Sequence, residues 1–176
     1  MNLTPIMERF VLHWGEMGNR WGVNRSVSQI HALLYLSPDP LPADEITEVL
    51  SIARSNVSTS LKELQAWGLV RISHELGDRR DHFATDKDMW VLFSTIVEQR
   101  KRREIDPTLT VLRQCVIDAA TDTETPDDIK QRIKNTLEFL ESLSEWYDRI
   151  KTLPPATLAT LMKLGDKVAR LLKRKK

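Results

Sequence analysis

The chain has 176 residues, 41% of them hydrophobic and 29% charged, and a formal net charge of +1 at neutral pH. This composition is ordinary for a globular protein, and so small a net charge means that any nucleic-acid affinity must come from the local placement of basic residues. The sequence predicts no membrane span, no export signal and no intrachain disulfide, because its apolar runs are short and Cys115 is its single cysteine. We therefore expect a cytoplasmic protein.

Two helices are predicted before the first break in the chain. The first ends near Gly22 and has apolar residues at helical spacing, namely Met7, Phe10, Val11 and Trp14. Ser26-x-x-Gln29 is a capping box that predicts the start of the second helix. The buried face of that helix is expected to carry Val27, Ile30 and Leu34. The segment SPDPLP, residues 37–42, then ends it.

Residues 42–85 have the order of elements of a winged helix-turn-helix. Pro42 suits the first position of a short helix, and residues 51–53 form a tight turn into a second helix that ends at Gly68. An apolar strand follows, and a hairpin returns Phe83 to the core. We predict a mainly α fold in which this hairpin is a two-stranded β wing.

The second helix of this unit is predicted to present a polar face to DNA. Val57, Leu61 and Leu64 recur at helical spacing and must face the core, which leaves short hydrogen-bonding side chains on the opposite face. Such side chains can approach base edges in a major groove. The predicted contacts are Arg54, Ser55, Asn56, Ser58, Thr59 and Lys62. Alternatively, the polar cluster only caps the helix, although capping accounts for just one such residue.

The wing carries two further predicted DNA contacts, Arg79 and Arg80, in the turn GDRRD at residues 77–81. An arginine on a narrow hairpin tip can enter a minor groove, where the potential is most negative. Asp78 and Asp81 are expected to brace the two arginines. The alternative is a solvated hairpin tip whose ion pairs contribute little.

The rest of the chain is predicted to be helical. Thr85-x-x-Asp88 is expected to cap a helix that is apolar nearly all round and ends in the basic run RKRR, residues 100–103. Asp106-Pro107 starts another helix, and the segment TPDD, residues 125–128, caps a long one. A final helix after residues 154–155 is expected to carry Leu158, Leu161, Val168 and Leu171, followed by the tail KRKK.

Four segments together resemble the GbsR branch of the MarR-type transcriptional regulators. They are WGVNRSVSQIHALLYLS, ARSNVSTSLKELQAWGLV, GDRRDHF and EQRKRREIDPTL, and the similarity runs from about residue 8 to about residue 115. The resemblance implies a homodimeric winged-helix protein that binds double-stranded DNA, usually as a repressor. It also implies dimerisation through the helices that flank the DNA-reading unit.

The long helix has an apolar stripe that the small winged unit cannot cover alone. We expect Ile133, Leu137, Leu140 and Tyr147 to lie in a two-fold dimer interface. The predicted organisation is therefore an N-terminal dimerisation helix at 1–22, a winged helix-turn-helix with its following helix at 23–104, and a helical dimerisation region at 105–176.

Other chemistry is not supported by the sequence. The histidines and Cys115 have no metal-ligand spacing, and no phosphate-binding or nucleophile motif occurs, so we expect no metal, no cofactor and no enzymatic activity. Some members of the family that this chain resembles sense choline or glycine betaine, and aromatic rings bind such quaternary ammonium groups. The resemblance therefore implies four candidate effector contacts, namely Trp14, Trp21, Trp146 and Tyr147. The alternative for these rings is packing in the core or the dimer interface. The alternative for the whole protein is a winged-helix module that contacts another protein.

Overall fold

The computed structural model describes residues 1–154, 156–158, 160–161 and 163–165. The chain divides into two compact units, Met1–Ile96 and Val97–Lys176. Within the described residues, no helix has both the length and the apolar character that crossing a membrane requires. Val168, Leu171 and the tail KRKK lie outside the described residues.

The first unit begins with helices α1 (Pro5–Arg20) and α2 (Arg25–Leu36). The predicted end of α1 is confirmed, since Gly22 follows it with a φ of 77°. The predicted capping box on Ser26 is wrong. The cap is Asn24, whose side-chain oxygen accepts a hydrogen bond from the Ser26 amide at 2.8 Å, so α2 begins one residue before Ser26.

Glycine allows α1 to approach α2 closely. A Cβ atom on Gly18 would lie 1.9 Å from Ser28 Oγ, and one on Gly15 would lie 2.6 Å from Gln29 Cγ. Neither distance is possible between real atoms, so any larger residue would push the two helices apart. These glycines therefore fix α2 against α1, and α2 in turn supports the helix-turn-helix.

The helix-turn-helix consists of α3 (Ala43–Leu50) and α4 (Arg54–Ala66), as the sequence predicts. The turn between them begins at Ser51, which ends α3 in the left-handed conformation with a φ of 51°. Ile46 of α3 and Val57 of α4 are both fully buried in one core with α2. Burial of these apolar faces fixes which side of α4 points outward.

The wing is part of a three-stranded antiparallel sheet with the order β1-β3-β2. Its strands are β1 (Leu41–Pro42), β2 (Arg71–Ser73) and β3 (His82–Ala84). Phe83 lies opposite both Leu41 and Ile72, and its buried ring confirms the predicted return of the hairpin to the core. Strand β1 was not predicted, because Pro42 was assigned to the first position of α3. It precedes that helix in extended conformation instead. The winged helix-turn-helix fold is confirmed.

The remaining elements are helical. They are α5 (Met89–Arg100), a π-helical turn (Lys101–Ile105), α6 (Asp106–Asp118) and α7 (Asp127–Ile150). Thr85 does not cap α5. Asp88 does, because its carboxylate accepts a hydrogen bond from the Trp90 amide at 2.7 Å. In the second unit, α6 packs on α7 through buried Leu109 and Leu137, and an Arg113–Glu141 ion pair of 2.8 Å joins the two helices.

Candidate nucleic-acid interface

The outward face of α4 is set by the core residues on its other side. Val57, Leu61 and Leu64 are buried, and Ser60 is buried beside them. The six predicted contact residues are all exposed, namely Arg54, Ser55, Asn56, Ser58, Thr59 and Lys62. The predicted orientation of this helix is therefore confirmed, and a row of small hydroxyls and one lysine faces solvent.

Three of these side chains are available to a ligand. Ser55, Ser58 and Lys62 form no side-chain hydrogen bond or ion pair with any described residue. Thr59 donates only within its own helix, from Oγ1 to the Ser55 carbonyl oxygen at 3.0 Å. A hydroxyl can donate to or accept from a base edge, and a lysine can pair with a phosphate, so this face has the groups that DNA recognition requires.

Asn56 has a more restricted position than the sequence indicates. Its side-chain nitrogen donates to Ser26 Oγ at 2.9 Å, and its side-chain oxygen accepts from Ser60 Oγ at 3.3 Å. Both ends of the amide are therefore engaged, and the bond to Ser26 joins α4 to the first turn of α2. Periodicity could not reveal this bond, since Ser26 precedes Asn56 by 30 residues.

Arg54 is also engaged within the protein. Its guanidinium forms an ion pair with Asp44 in the first turn of α3, although three-quarters of the arginine side chain stays exposed. The pair joins the start of α3 to the start of α4. Because exposed ion pairs contribute little free energy, a phosphate could compete for this guanidinium.

The two wing arginines differ in their surroundings. Arg80 donates from Nε and Nη2 to the Asp78 carboxylate at 2.6–3.1 Å, and this guanidinium holds the pKa of Asp78 down at about 2. The same pair raises the pKa of Arg80. Bracing by Asp78 is confirmed, whereas Asp81 lies 3.8 Å from His74 Nδ1 instead of bracing an arginine. Arg79 is exposed and has no partner among the described residues.

A buried histidine supports the base of the wing. His82 Nδ1 donates to the Arg80 carbonyl oxygen at 3.0 Å, while its Nε2 lies 3.5 Å from Asp78 and 3.8 Å from Glu75. In the described part of the chain, no group of three or more histidine, cysteine, aspartate or glutamate residues could hold a metal ion. We therefore interpret His82 as a hydrogen-bonding residue that fixes the turn carrying Asp78 and Arg80.

A second buried histidine ties the wing to α2. Thr85 Oγ1 donates to the Leu69 carbonyl oxygen at 2.6 Å and lies 3.2 Å from His31 Nε2, which must then be the donor to Thr85. Burial, together with a smaller contribution from the nearby charge of Lys87, lowers the pKa of His31 to about 4. Neutral His31 therefore links α2 to the residues just before and just after the wing.

Lys87 provides another link between the wing and α2. Its ammonium donates to the carbonyl oxygens of Leu34, Tyr35 and Ser37 at 2.5–3.0 Å. These carbonyls lie at the end of α2, where the helix dipole favours a positive charge. Burial, with a smaller contribution from Arg71, lowers the pKa of Lys87. Local sequence pattern could not predict this contact, because Lys87 lies 52 positions after Tyr35.

The comparisons with known proteins agree with this geometry. A family model described as the MarR family matches residues 21–81, which include the helix-turn-helix and most of the wing. The HTH-type transcriptional repressor GbsR of Bacillus subtilis is 26% identical over 136 residues, covering 76% of this chain and 75% of that protein. The chain is thus similar to the repressor GbsR over most of its length and to the MarR family over its helix-turn-helix.

One solved structure has a similar fold. A crystal structure of a transcriptional regulator matches with a TM-score of 0.63 and 17% identity, covering 84% of this chain and 96% of that one. A crystal structure of a MepR–DNA complex from S. aureus has a TM-score of 0.38 at 17% identity, covering 78% and 92%, and this overlap is too low to carry an argument.

The four aromatic candidates occupy different surroundings. Trp14 stacks on Phe10 with ring centroids 5.3 Å apart, and Phe10 stacks in turn on Tyr35. Trp21 and Trp146 are each 59% exposed. The ring of Tyr147 already has the Lys151 ammonium 5.7 Å from its centroid. Packing therefore accounts for Trp14, an internal cation contacts Tyr147, and an effector site on these rings stays a prediction.

The predicted dimer stripe of α7 lies partly inside the second unit. Leu137 is only 8% exposed, and its stripe partners Ile133, Leu140 and Tyr147 are half-buried. A different stripe faces solvent, formed by Phe139 at 66% exposure, Leu143 at 44% and Trp146 at 59%. Helix α7 has two apolar stripes, about 100° apart around the helix. The predicted dimer interface followed the stripe that contains Leu137, so the exposed stripe was not assigned to it.

Proposed function

We propose that this protein is a homodimeric transcriptional repressor that binds an inverted-repeat operator. The observation that carries the proposal is the outer face of α4, where Ser55, Ser58 and Lys62 are exposed and without partners among the described residues. No large apolar side chain of α4 is exposed. A helix used for protein contact would be expected to carry an aromatic or aliphatic anchor, so this surface favours DNA over a protein partner.

In this proposal α4 enters the major groove. Ser55 and Ser58 are short enough for the helix to approach base edges closely, and each can donate or accept a hydrogen bond. Lys62 is two helical turns after Ser55, where the groove wall presents phosphates. Arg54 takes a phosphate by exchanging its exposed partner Asp44, and Asn56 keeps α4 at its angle to α2 through Ser26.

The wing supplies the minor-groove contact. Arg79 is the cation with no partner among the described residues of the turn, so it loses no ion pair when it enters a groove. Arg80 is held by Asp78 and serves chiefly to shape the turn. A narrow minor groove has an enhanced negative potential, which is the environment that an unpaired arginine favours.

The homodimer follows from apolar surface that the chain leaves in water. Phe139, Leu143 and Trp146 form one outward stripe of α7, and we assign this stripe, together with the edges of Ile133, Leu140 and Tyr147, to the contact between two copies. An isologous contact buries each stripe against its own copy. Two-fold symmetry then requires an operator with inverted half-sites about one helical turn apart, roughly 34–36 Å.

Repression is the mode of action that the relationship to GbsR supports, because the Bacillus subtilis relative is a transcriptional repressor. A dimer bound across a promoter blocks polymerase without needing any further activity. The test is a nuclease footprint of the purified protein on the DNA upstream of its own gene. We expect one protected, two-fold symmetric site at nanomolar protein concentration.

The matched variants for this footprint are serine-to-alanine changes on two helices. Ser55→Ala combined with Ser58→Ala should weaken specific binding by about 1–3 kcal/mol for each lost base contact. Ser142→Ala removes an exposed hydroxyl from α7 and should leave the footprint unchanged. Protection that is absent, or that is equally strong on unrelated DNA, would overturn the proposed function.

A further inference from the structure

One apolar side chain of the wing, that of Leu76, is fully exposed to solvent. Leu76 has a relative exposure of 109%, the highest of the large hydrophobic side chains that the structure describes as exposed. It lies at the hairpin turn, directly before Gly77, which has a φ of 87° that favours glycine. The turn therefore holds Leu76 away from the rest of the protein. Core packing does not explain a leucine at this position.

Leu76 lies in the same hairpin turn as Arg79, which has no partner among the described residues. Arg80 and Asp78 face each other, and His82 lies under them. Arg79 and Leu76 consequently remain as a cationic and an apolar group on the same tip. The other exposed groups of the tip are His74, Glu75 and Asp81, of which His74 and Asp81 approach each other to 3.8 Å.

We propose that Leu76 is a second minor-groove contact of the wing, packing against A·T base pairs beside Arg79. This inference rests on the proposed DNA-binding function and deepens it. The floor of the minor groove at an A·T pair lacks the amino group that guanine places there, so an apolar side chain can pack against it without burying an unpaired donor. Leucine is one of the side chains that minor-groove proteins insert in this way.

A protein partner fits this tip poorly. A stable protein interface buries about 800 Å² on each partner, far more than one leucine and its hairpin turn can offer. A minor groove is about 6 Å wide and admits single side chains such as those on a two-stranded tip. The combination of a cation and an apolar side chain matches the negative potential and the sugar-lined walls of that groove.

The experiment uses three versions of the strongest DNA site that the wild-type protein protects. The base pairs under the wing, located by the protected minor-groove positions, are A·T, inosine·C or G·C. Inosine·C presents the same minor-groove floor as A·T, whereas G·C adds the guanine amino group. Wild-type protein should bind the first two duplexes equally and the G·C duplex about 5- to 100-fold more weakly.

Leu76→Ala should weaken binding to the A·T and inosine·C duplexes several-fold. The difference in affinity between these two duplexes and the G·C duplex should therefore become smaller. Leu76→Met should keep most of the wild-type affinity and most of the preference over the G·C duplex, because methionine keeps the apolar volume. Ile72→Ala is the matched control, since Ile72 is an exposed apolar residue of the same hairpin at 41% exposure. It should bind all three duplexes as wild type does. Circular dichroism of each variant checks that the hairpin folds.

Salt titration separates Leu76 from Arg79. Leu76→Ala should leave the dependence of affinity on salt concentration unchanged, because a leucine releases no counterion. The proposal is overturned if Leu76→Ala binds all three duplexes as wild type does, or if its loss is equal on all three. A wild-type protein that protects no site overturns the proposed function instead, so the two failures are distinguishable.

Discussion

The side-chain nitrogen of Asn56 donates a hydrogen bond to Ser26 Oγ at 2.9 Å, which joins α4 to the first turn of α2. The exposed position of Asn56 on α4 would by itself indicate a base-reading residue. The bond to Ser26 assigns it a positioning role as well, because any movement of α4 relative to α2 must break it. The two roles predict different results.

We predict that Asn56 and Ser26 are energetically coupled. Asn56→Ala and Ser26→Ala should each weaken operator binding, and each should lower the free energy of unfolding by about 1 kcal/mol. The double variant should lose about as much as either single variant, which corresponds to a coupling of about 1 kcal/mol. Urea unfolding and operator titration of the four proteins measure the cycle. Additive effects on binding would mean that Asn56 acts without Ser26.

The two wing arginines should respond differently to removal. Arg79→Ala should reduce the slope of log affinity against log salt concentration by about one counterion, since Arg79 has no partner among the described residues and can pair with phosphate charge. Arg80→Ala should mainly loosen the turn, because it releases Asp78 from its bidentate partner. Fluorescence titrations between low and physiological salt compare the two variants. An unchanged slope in Arg79→Ala would place the tip away from DNA.

Stability should fall with pH because of His31. Its pKa is about 4 in the folded protein and 6.5 in the unfolded chain, so the unfolded state binds more protons between these values. The stability contribution is complete above pH 6.5 and is lost as the pH falls toward 4, by about 3 kcal/mol at most. Urea unfolding at several pH values across this window measures it.

The matched histidine variants isolate this contribution. His31→Gln should lower stability at neutral pH, through loss of the bond to Thr85, but should flatten the pH dependence. His13→Gln changes an exposed histidine of α1 and should retain the wild-type slope. If the free energy of unfolding has the same slope against pH in all three proteins, His31 does not cause the pH dependence.

The sequence predicted those features that depend on local spacing. Val57, Leu61 and Leu64 repeat at helical intervals, so their burial, and with it the outward face of α4, followed from the pattern. Glycine and polar residues after α4 likewise indicated a hairpin ending at Phe83. These inferences required no knowledge of distant contacts.

Contacts between distant residues were not predictable from spacing. Strand β1 exists because Leu41 pairs with Phe83, and Lys87 holds the end of α2 although 52 residues separate it from Tyr35. Local pattern was also ambiguous where several groups could fill one role, as with Asn24 and Ser26 at the start of α2. On α7, the pattern contained two apolar stripes and did not indicate which one α6 covers.

The two stripes of α7 should respond differently to charge. Phe139→Asp with Leu143→Asp places charge on the exposed stripe and should reduce the mass measured by light scattering from about twice 20.3 kDa to 20.3 kDa. Leu137→Asp places charge at a buried position and should unfold the second unit instead. Gln131→Asp, at an exposed position on the polar face of the same helix, should leave the dimer intact. A wild-type protein of 20.3 kDa in solution would contradict the dimer.

Selection from a pool of random duplex DNA tests whether two copies of α4 bind DNA with sequence specificity. Wild-type protein at physiological salt is used to retain duplexes over several rounds, and the enriched sequences are read. A two-fold symmetric dimer should enrich an inverted repeat with half-site centres about 10–10.5 base pairs apart. Ser55→Ala with Ser58→Ala should change the preferred bases within each half-site without changing their spacing. A pool that stays random would contradict sequence-specific binding. A pool that enriches a single unrepeated site would contradict binding by a two-fold symmetric dimer.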